Sequence, residues 1–183
     1  PNGSIPRMVR EIQQLRESGT QVLVFSADVA DFDRMRVVID DTLTRFGQID
    51  GVIHAAGVPD GAIIEARTRE QTRDVLAPKI QGTVVLHRLF RDMELDFFML
   101  CSSLNSLLVP PGQVGYAAAN LFLDAFAHYR ARTFGGVTLS VNWDAWQEVG
   151  MAARSLDREV ETLSVDYPLF QRGIVESGGN IVY

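Results

Sequence analysis

Four side chains of this 183-residue chain have the types and spacing of a proton-transfer site. Tyr116 and Asn120 stand four apart around Ala117-Ala118-Ala119, Ser103 lies thirteen residues before the tyrosine, and Lys79 twenty-four before the serine. Residues four apart share a helix face, and the alanines between them leave a smooth, low surface. A free phenol titrates near about 10, too high for easy proton exchange at neutral pH. A nearby ammonium favours the phenolate and lowers that value, and a hydroxyl can hold the same substrate oxygen. The chemistry such a set suits is reduction of a carbonyl to an alcohol.

Helix-like and strand-like segments alternate around these residues. Met8, Val9, Ile12 and Leu15 have helical spacing that stops at Ser18-Gly19. Gln21–Phe25 is a short apolar run that reads as a buried strand. Asp31 or Asp33 caps the next helix, whose apolar positions Met35, Val38, Ile39, Leu43 and Phe46 end at Gly47. Gly51–Gly57 reads as a strand running into a glycine turn, and a helix through Thr68–Phe90 follows, with Pro78 as a candidate break. Phe97–Cys101 is a strand, Tyr116–Thr133 a helix, and Val137–Trp143 the last strand. Strand-helix-strand repeats with continuous apolar strands predict a parallel α/β sheet covered on both faces. Ligands of such sheets sit beyond the carboxyl ends of the strands. Asp28, Ala55-Ala56-Gly57, Ser102-Ser103 and Trp143-Asp144 follow the four expected strands.

Composition bounds the function classes. The length suits one compact domain, and 46% hydrophobic residues is a globular fraction. A formal charge of −6 argues against nucleic acid or an anionic membrane as main partner. The lone Cys101 excludes an internal disulfide and points to a reducing compartment. No apolar stretch approaches the roughly 20 residues of a membrane span, and no signal-peptide pattern opens the sequence. The cytoplasm is the expected location. His87 and His128 are isolated and suggest no metal site.

Several of these motifs together resemble the ketoreductase domain of modular polyketide synthases, in the short-chain dehydrogenase/reductase superfamily. The resemblance rests on Asp28-Val29, His54-Ala55-Ala56-Gly57, Pro78-Lys79, Cys101-Ser102-Ser103, the run Pro111–Asn120, Ser140-Val141-Asn142-Trp143 and Trp146, in family order over roughly residues 20 to 152. Most superfamily members place the lysine four residues after the tyrosine. Asn120 holds that place here and the lysine is upstream, an exchange similar to polyketide and animal fatty-acid synthase ketoreductases.

The resemblance implies a Rossmann-like doubly wound parallel sheet with helices on both faces, NADPH as cofactor, and a catalytic set of Tyr116, Ser103, Lys79 and Asn120. Tyr116 would donate the proton, Ser103 would hold the carbonyl oxygen, Lys79 would touch the nicotinamide ribose and lower the phenol's pKa, and Asn120 would support the proton relay. Asp28 and Val29 would line the adenine pocket, and Ala55, Ala56 and Gly57 would let the cofactor approach the backbone. Trp143 and Asp144 would follow the strand bordering the nicotinamide. Ser102, next to Ser103 but off the family interval, reads as structural. His54 reads as supporting its turn, and Asp60 as a loop aspartate or a contact of the substrate arm.

In one respect the chain departs from the family. No G-x-G-x-x-G follows a strand, and the first element is a helix entering what looks like the third strand of the fold. The opening β-α-β unit is therefore expected to be absent. The chain reads as residues 1–153 of ketoreductase catalytic subdomain, incomplete at its N-terminus and binding NADPH weakly unless the missing part is supplied. Residues 154–183 read as a linker or the start of a following domain, with a hairpin turning at Gly178-Gly179-Asn180.

The family's substrates are β-ketoacyl groups held on the phosphopantetheine of an acyl carrier protein. That carrier and the other domains of the synthase are the implied partners. Arg67, Arg69 and Arg73 form a candidate docking patch, read alternatively as a solvated helix face. Asp60, Leu108, Pro111 and Met151 are the substrate-side candidates. Leu108 stands where one family type carries a tryptophan, Pro59-Asp60-Gly61 stands where the other carries Leu-Asp-Asp, and Pro111 fits the second type, favouring the D-3-hydroxy product. Two alternatives stand beside this reading: a catalytically silent structural lobe, and a reductase of free ketones or α-ketoacyl groups.

Overall fold

The computed structural model describes residues 4–146, 150 and 151. Helix α1 covers Ser4–Glu17 and α2 Phe32–Phe46, followed by strand β1 at Gly51–His54 and a 3₁₀ turn at Ile64–Ala66. Helix α3 (Arg69–Phe90), strand β2 (Phe97–Ser103), the one-turn α4 (Asn105–Leu108), helix α5 (Val114–Phe134) and strand β3 (Thr138–Trp143) complete the order.

Local chemistry sets the boundaries. Asp31 accepts the Arg34 N–H at 3.0 Å and starts α2. Gly47 ends that helix at φ 86, where a side chain would be strained, and its N–H reaches the Leu43 carbonyl. A capping box opens α3: Thr68 Oγ1 accepts from the Gln71 N–H at 3.1 Å, and Gln71 Oε1 from the Thr68 N–H at 2.9 Å. Contrary to the expected break, α3 runs through Pro78 without interruption. A proline costs one backbone bond, and the packing of this 22-residue helix against α5 and α2 outweighs that loss.

The three strands are parallel in the order β1-β2-β3. Val52 pairs with Phe98, His54 with Leu100, and Ser103 with Trp143. Alternate residues of β2 are buried, as a pleated strand requires, and Phe98 and Leu100 are fully enclosed. They meet Ile39 of α2, Leu86 and Phe90 of α3, and Leu123 and Ala127 of α5 in one core. On the other face, Ile53 and Leu139 are exposed among the described residues. The architecture is that of a Rossmann-like parallel α/β fold, in part.

The predicted strand at Gln21–Phe25 is not one: among the described residues no ladder forms beside it, so three strands converge there rather than four. Its composition suits a strand, but a strand exists only beside a partner, and Leu23 and Val24 are exposed. The Val22 carbonyl takes its hydrogen bond from Arg16 instead. The 154–183 segment and its expected hairpin lie outside the described residues. Among the described residues, no helix is long and apolar enough to cross a membrane.

Candidate active site

Helix α5 carries Tyr116 and Asn120, and polar ties fix it to the sheet. Ser102 Oγ donates to the Asn120 carbonyl at 3.2 Å, Ser140 Oγ to Asp124 Oδ1 at 2.5 Å, and Arg130 Nη1 to Thr138 Oγ1 at 2.8 Å. Buried Ala117, Ala119 and Leu123 let the helix lie close to the strands. Ser102, beside the predicted Ser103, thus serves the register of α5.

Lys79 reaches the same place from α3. Its side chain is 3% exposed, and Nζ donates to the Cys101 carbonyl at 2.7 Å, past the point where β1 stops pairing with β2. Nζ lies 5.7 Å from the centroid of the Tyr116 ring. Burial pulls the Lys79 ammonium down to about 8, against a smaller opposing pull from Cys101 and Asp124. Ser103, two residues beyond Cys101 at the end of β2, is half-buried and its Oγ accepts the Asn105 N–H at 3.2 Å.

Asn120 is fully buried. Its Nδ2 donates back along the helix to the Tyr116 carbonyl at 2.7 Å, and Oδ1 has no hydrogen-bond partner. A buried amide oxygen left open beside the phenol's own turn is a ready acceptor.

The β1 end is small and tight. Ala55 and Ala56 are exposed. A methyl group on Gly57 would stand 3.1 Å from Lys79 Cε, 3.6 Å from its Nζ and 3.9 Å from Met151 Cε, so glycine leaves the ammonium its room. His54 is buried and donates from Nε2 to the Pro78 carbonyl at 3.1 Å. Burial, then the Lys79 charge, pull this imidazole down to about 4 against the Pro78 hydrogen bond, so it is neutral at pH 7. Trp143 and Trp146 meet edge to face, 5.6 Å between centroids. Asp28 is exposed and folds onto the Ala30 N–H, while Val29 packs over Gly82 of α3 and against the core. Leu108 and Pro111 are exposed on the α4–α5 connection.

Arg67 lies otherwise than expected, and its partner is Asp60, in a loop as expected. They form a buried ion pair, 3% and 8% exposed, so Arg67 is neither a docking arginine nor on a solvated helix face; Arg69 and Arg73 remain exposed. Sequence reasoning passed over this pair and Gly115, which the pair's guanidinium crowds. The available signal was a glycine immediately before the tyrosine, at a helix start with no capping side chain of its own. It also missed the Cys101 carbonyl, which no side-chain pattern can reveal. Among the described residues, no group of three metal-ligating side chains occurs.

Comparison with known proteins agrees with the geometry. Residues 2–148 match the family described as KR domain. The chain is 37% identical over 157 residues to polyketide synthase PksN of Bacillus subtilis, covering 83% of this chain and 3% of that one. It is 40% identical over 155 residues to 6-methylsalicylic acid synthase of Aspergillus terreus, covering 83% and 8%. An A1-type ketoreductase structure superimposes with a TM-score of 0.77 at 34% identity, over 85% of this chain and 33% of the other. The chain thus spans a small part of these synthases and about a third of that ketoreductase. It belongs to the ketoreductase domains of polyketide synthases, within the short-chain dehydrogenase/reductase superfamily.

Proposed function

We propose that this chain contributes the catalytic subdomain of an NADPH-dependent ketoreductase that converts a carrier-bound β-ketoacyl thioester to the β-hydroxyacyl product. The observation that carries the reading is the buried Lys79 ammonium beside the Tyr116 ring, at the strand end that also bears Ser103. The residues fit a nicotinamide cofactor: small Ala55, Ala56 and Gly57 leave space at the β1 end, and Lys79 has N–H groups beyond the one given to Cys101. Lys79, Tyr116 and Trp143 would hold its nicotinamide end, and Asp28 and Val29 its adenine end. When bound, the cofactor supplies the hydride.

The chain's own residues do the rest. Ser103 Oγ orients the substrate carbonyl by donating to its oxygen. Tyr116 donates the phenolic proton to that oxygen as negative charge develops there. The Lys79 ammonium stabilises the phenolate left behind, and the open Asn120 Oδ1 accepts a hydrogen bond in the relay that returns the proton. Leu108, Pro111 and Met151 border the acyl side, and the tryptophan-free Leu108 position favours the D-3-hydroxy product. Residues 1–153 make up the catalytic subdomain, which works with the rest of a synthase.

The test is NADPH oxidation by the full-length protein with a β-ketoacyl group on its carrier, on a free ketone, and on an α-ketoacyl carrier. Turnover of the first, with chiral analysis giving the D product, supports the reading. Turnover restricted to free ketones would overturn the substrate, and none with any substrate would leave a structural lobe.

A further inference from the structure

Helix α5 begins at Val114 with no hydrogen bond from the side chain of its own N-cap, Gln113. The first N–H groups of a helix need partners, and here a residue over fifty positions away supplies them. Asp60 Oδ2 accepts the N–H of Gly115 at 2.9 Å and of Tyr116 at 3.1 Å. Its Oδ1 accepts from Gly61 at 2.9 Å and Ala62 at 3.5 Å, and its carbonyl takes Gln113 Nε2 at 2.7 Å. Arg67 closes the arrangement through its ion pair to Oδ1. Burial alone would raise the Asp60 pKa, but Arg67 and the backbone N–H groups outweigh it and hold the carboxyl below its ordinary value.

Two details show that the site is built around this pair. Arg67 Nε and Nη1 are buried without hydrogen-bond partners, so Asp60 is what retains the guanidinium. A methyl group on Gly115 would stand 2.5 Å from Arg67 Nη1, 2.6 Å from Nη2 and 2.9 Å from Cζ. The guanidinium lies against the helix where a side chain would otherwise be, so any larger residue there would have to push it off its place beside Asp60.

We propose that Asp60 and Arg67 are positioning residues for Tyr116: the buried pair grips the backbone of the helix's first turn and sets where the phenol stands relative to Lys79. The proposal rests on the reading of Tyr116 as proton donor. Displacing a reacting group by about 1 Å can cost on the order of a hundredfold in rate. The pair acts through the Gly115 and Tyr116 amides, so its loss should move kcat far more than cofactor binding, which Lys79 and Trp143 would still support.

The experiment uses the full-length protein with Asp60→Asn, Arg67→Lys, Arg67→Met, Gly115→Ala and the double variant Arg67→Met/Gly115→Ala. It measures kcat, KM for NADPH, and hydrogen exchange of a peptide covering 113–118. Asp60→Asn should lower kcat about tenfold to a hundredfold with KM for NADPH within about twofold. Exchange should rise at 113–118 and stay unchanged in the second half of α5. Arg67→Lys should recover part of what Arg67→Met loses. Gly115→Ala should cost about as much as Arg67→Met in the native background and little more on top of it, because both release the same grip. Fully additive losses, exchange rising along all of α5, or kcat within about threefold in Asp60→Asn would each overturn the proposal. If Asp60→Asn does not fold, Gly115→Ala carries the same comparison. Should the unsubstituted protein reduce nothing, the functional reading fails while the exchange pattern still decides whether Asp60 and Arg67 hold the turn.

Discussion

Two buried charges flank the first turn of α5, and the fold treats them oppositely. Asp60 is surrounded: an arginine and four backbone N–H groups meet its two oxygens, and its carboxyl is held below the ordinary range. Lys79, the more deeply buried residue of the two, is hydrogen-bonded to one carbonyl among the described residues, and burial pulls it down to about 8. The first charge is locked into one state across the working range. The second is poised where a proton can come and go. A surrounded charge suits a frame, and an under-partnered one suits the reactive role proposed for Lys79. Tyr116 stands between them, its backbone gripped by the frame and its ring beside the reactive charge.

The most severe way to break this contrast is Tyr116→Phe, which removes the phenolic oxygen and leaves every backbone contact to Asp60. We expect kcat to fall about a thousandfold, within the usual reach of a positioned general acid, with the urea midpoint unchanged. A loss below about tenfold would show that another group supplies the proton.

Lys79→Met tests the other side. In the folded chain the ammonium titrates near 8 rather than at its ordinary value of 10.5. Below pH 8 the lysine is charged in both folded and unfolded states, and the native protein carries a burial penalty of about 3 kcal/mol. Between about 8 and 10.5 the folded state gives up its proton first, so native stability rises with pH. A methionine at this position has no charge to bury. Methionine also gives up the bond to the Cys101 carbonyl at every pH, so the effect to read is the slope: between about pH 8 and 10.5 the variant should lack the rise of about 3 kcal/mol, while kcat falls about a hundredfold. Denaturant melts at three pH values read the first effect and steady-state kinetics the second. A stability difference flat across that range would remove the poised charge from the account.

How much of this was legible in the sequence follows from the same distinction. Tyr116, Ser103, Lys79 and Asn120, the proposed catalytic set, are recognisable by type and interval, because proton transfer calls for particular side chains. Helix α2 was legible from its periodicity and from Asp31, one of two candidate caps, and α3 and α5 were expected over Thr68–Phe90 and Tyr116–Thr133. The Asp60–Arg67 frame was not, since its partners are backbone N–H groups 55 and 56 residues away, which have no letter in the sequence. The Gln21–Phe25 run misled for the converse reason: its residues suit a strand, but pairing depends on what lies alongside.

His54 offers a milder probe of the reactive side, because part of its displacement comes from the Lys79 charge. The imidazole titrates near 4 in the folded chain against an ordinary 6.5. Above pH 6.5 it is neutral in both states and its stabilising contribution is fully present. As pH falls through 6.5 toward 4, the unfolded chain takes up a proton that the folded one refuses, and about 3 kcal/mol of stability is lost. His54→Gln, which keeps a donor for the Pro78 carbonyl, should flatten this part of the acid slope measured by denaturant melts. An unaltered slope would mean that carboxylates alone cause it.

The finest test uses adjacent residues. Arg67 serves α5, whereas Thr68, next in the chain, caps α3 through the Gln71 N–H. Thr68→Ala should remove one capping bond and about 1 kcal/mol of stability. The cap lies more than two turns from Lys79 along a helix held by the core, so the ammonium should keep its place beneath Tyr116 and kcat should change less than about twofold. Arg67→Met, one residue earlier, should do the reverse, losing rate out of proportion to stability. Measured together by denaturant melts and turnover, the two substitutions separate a contact that holds the fold from one that aims a side chain. Equal ratios of rate loss to stability loss would mean that the loop between β1 and α3 acts only through overall stability, and Asp60 would then be an ordinary buried cap.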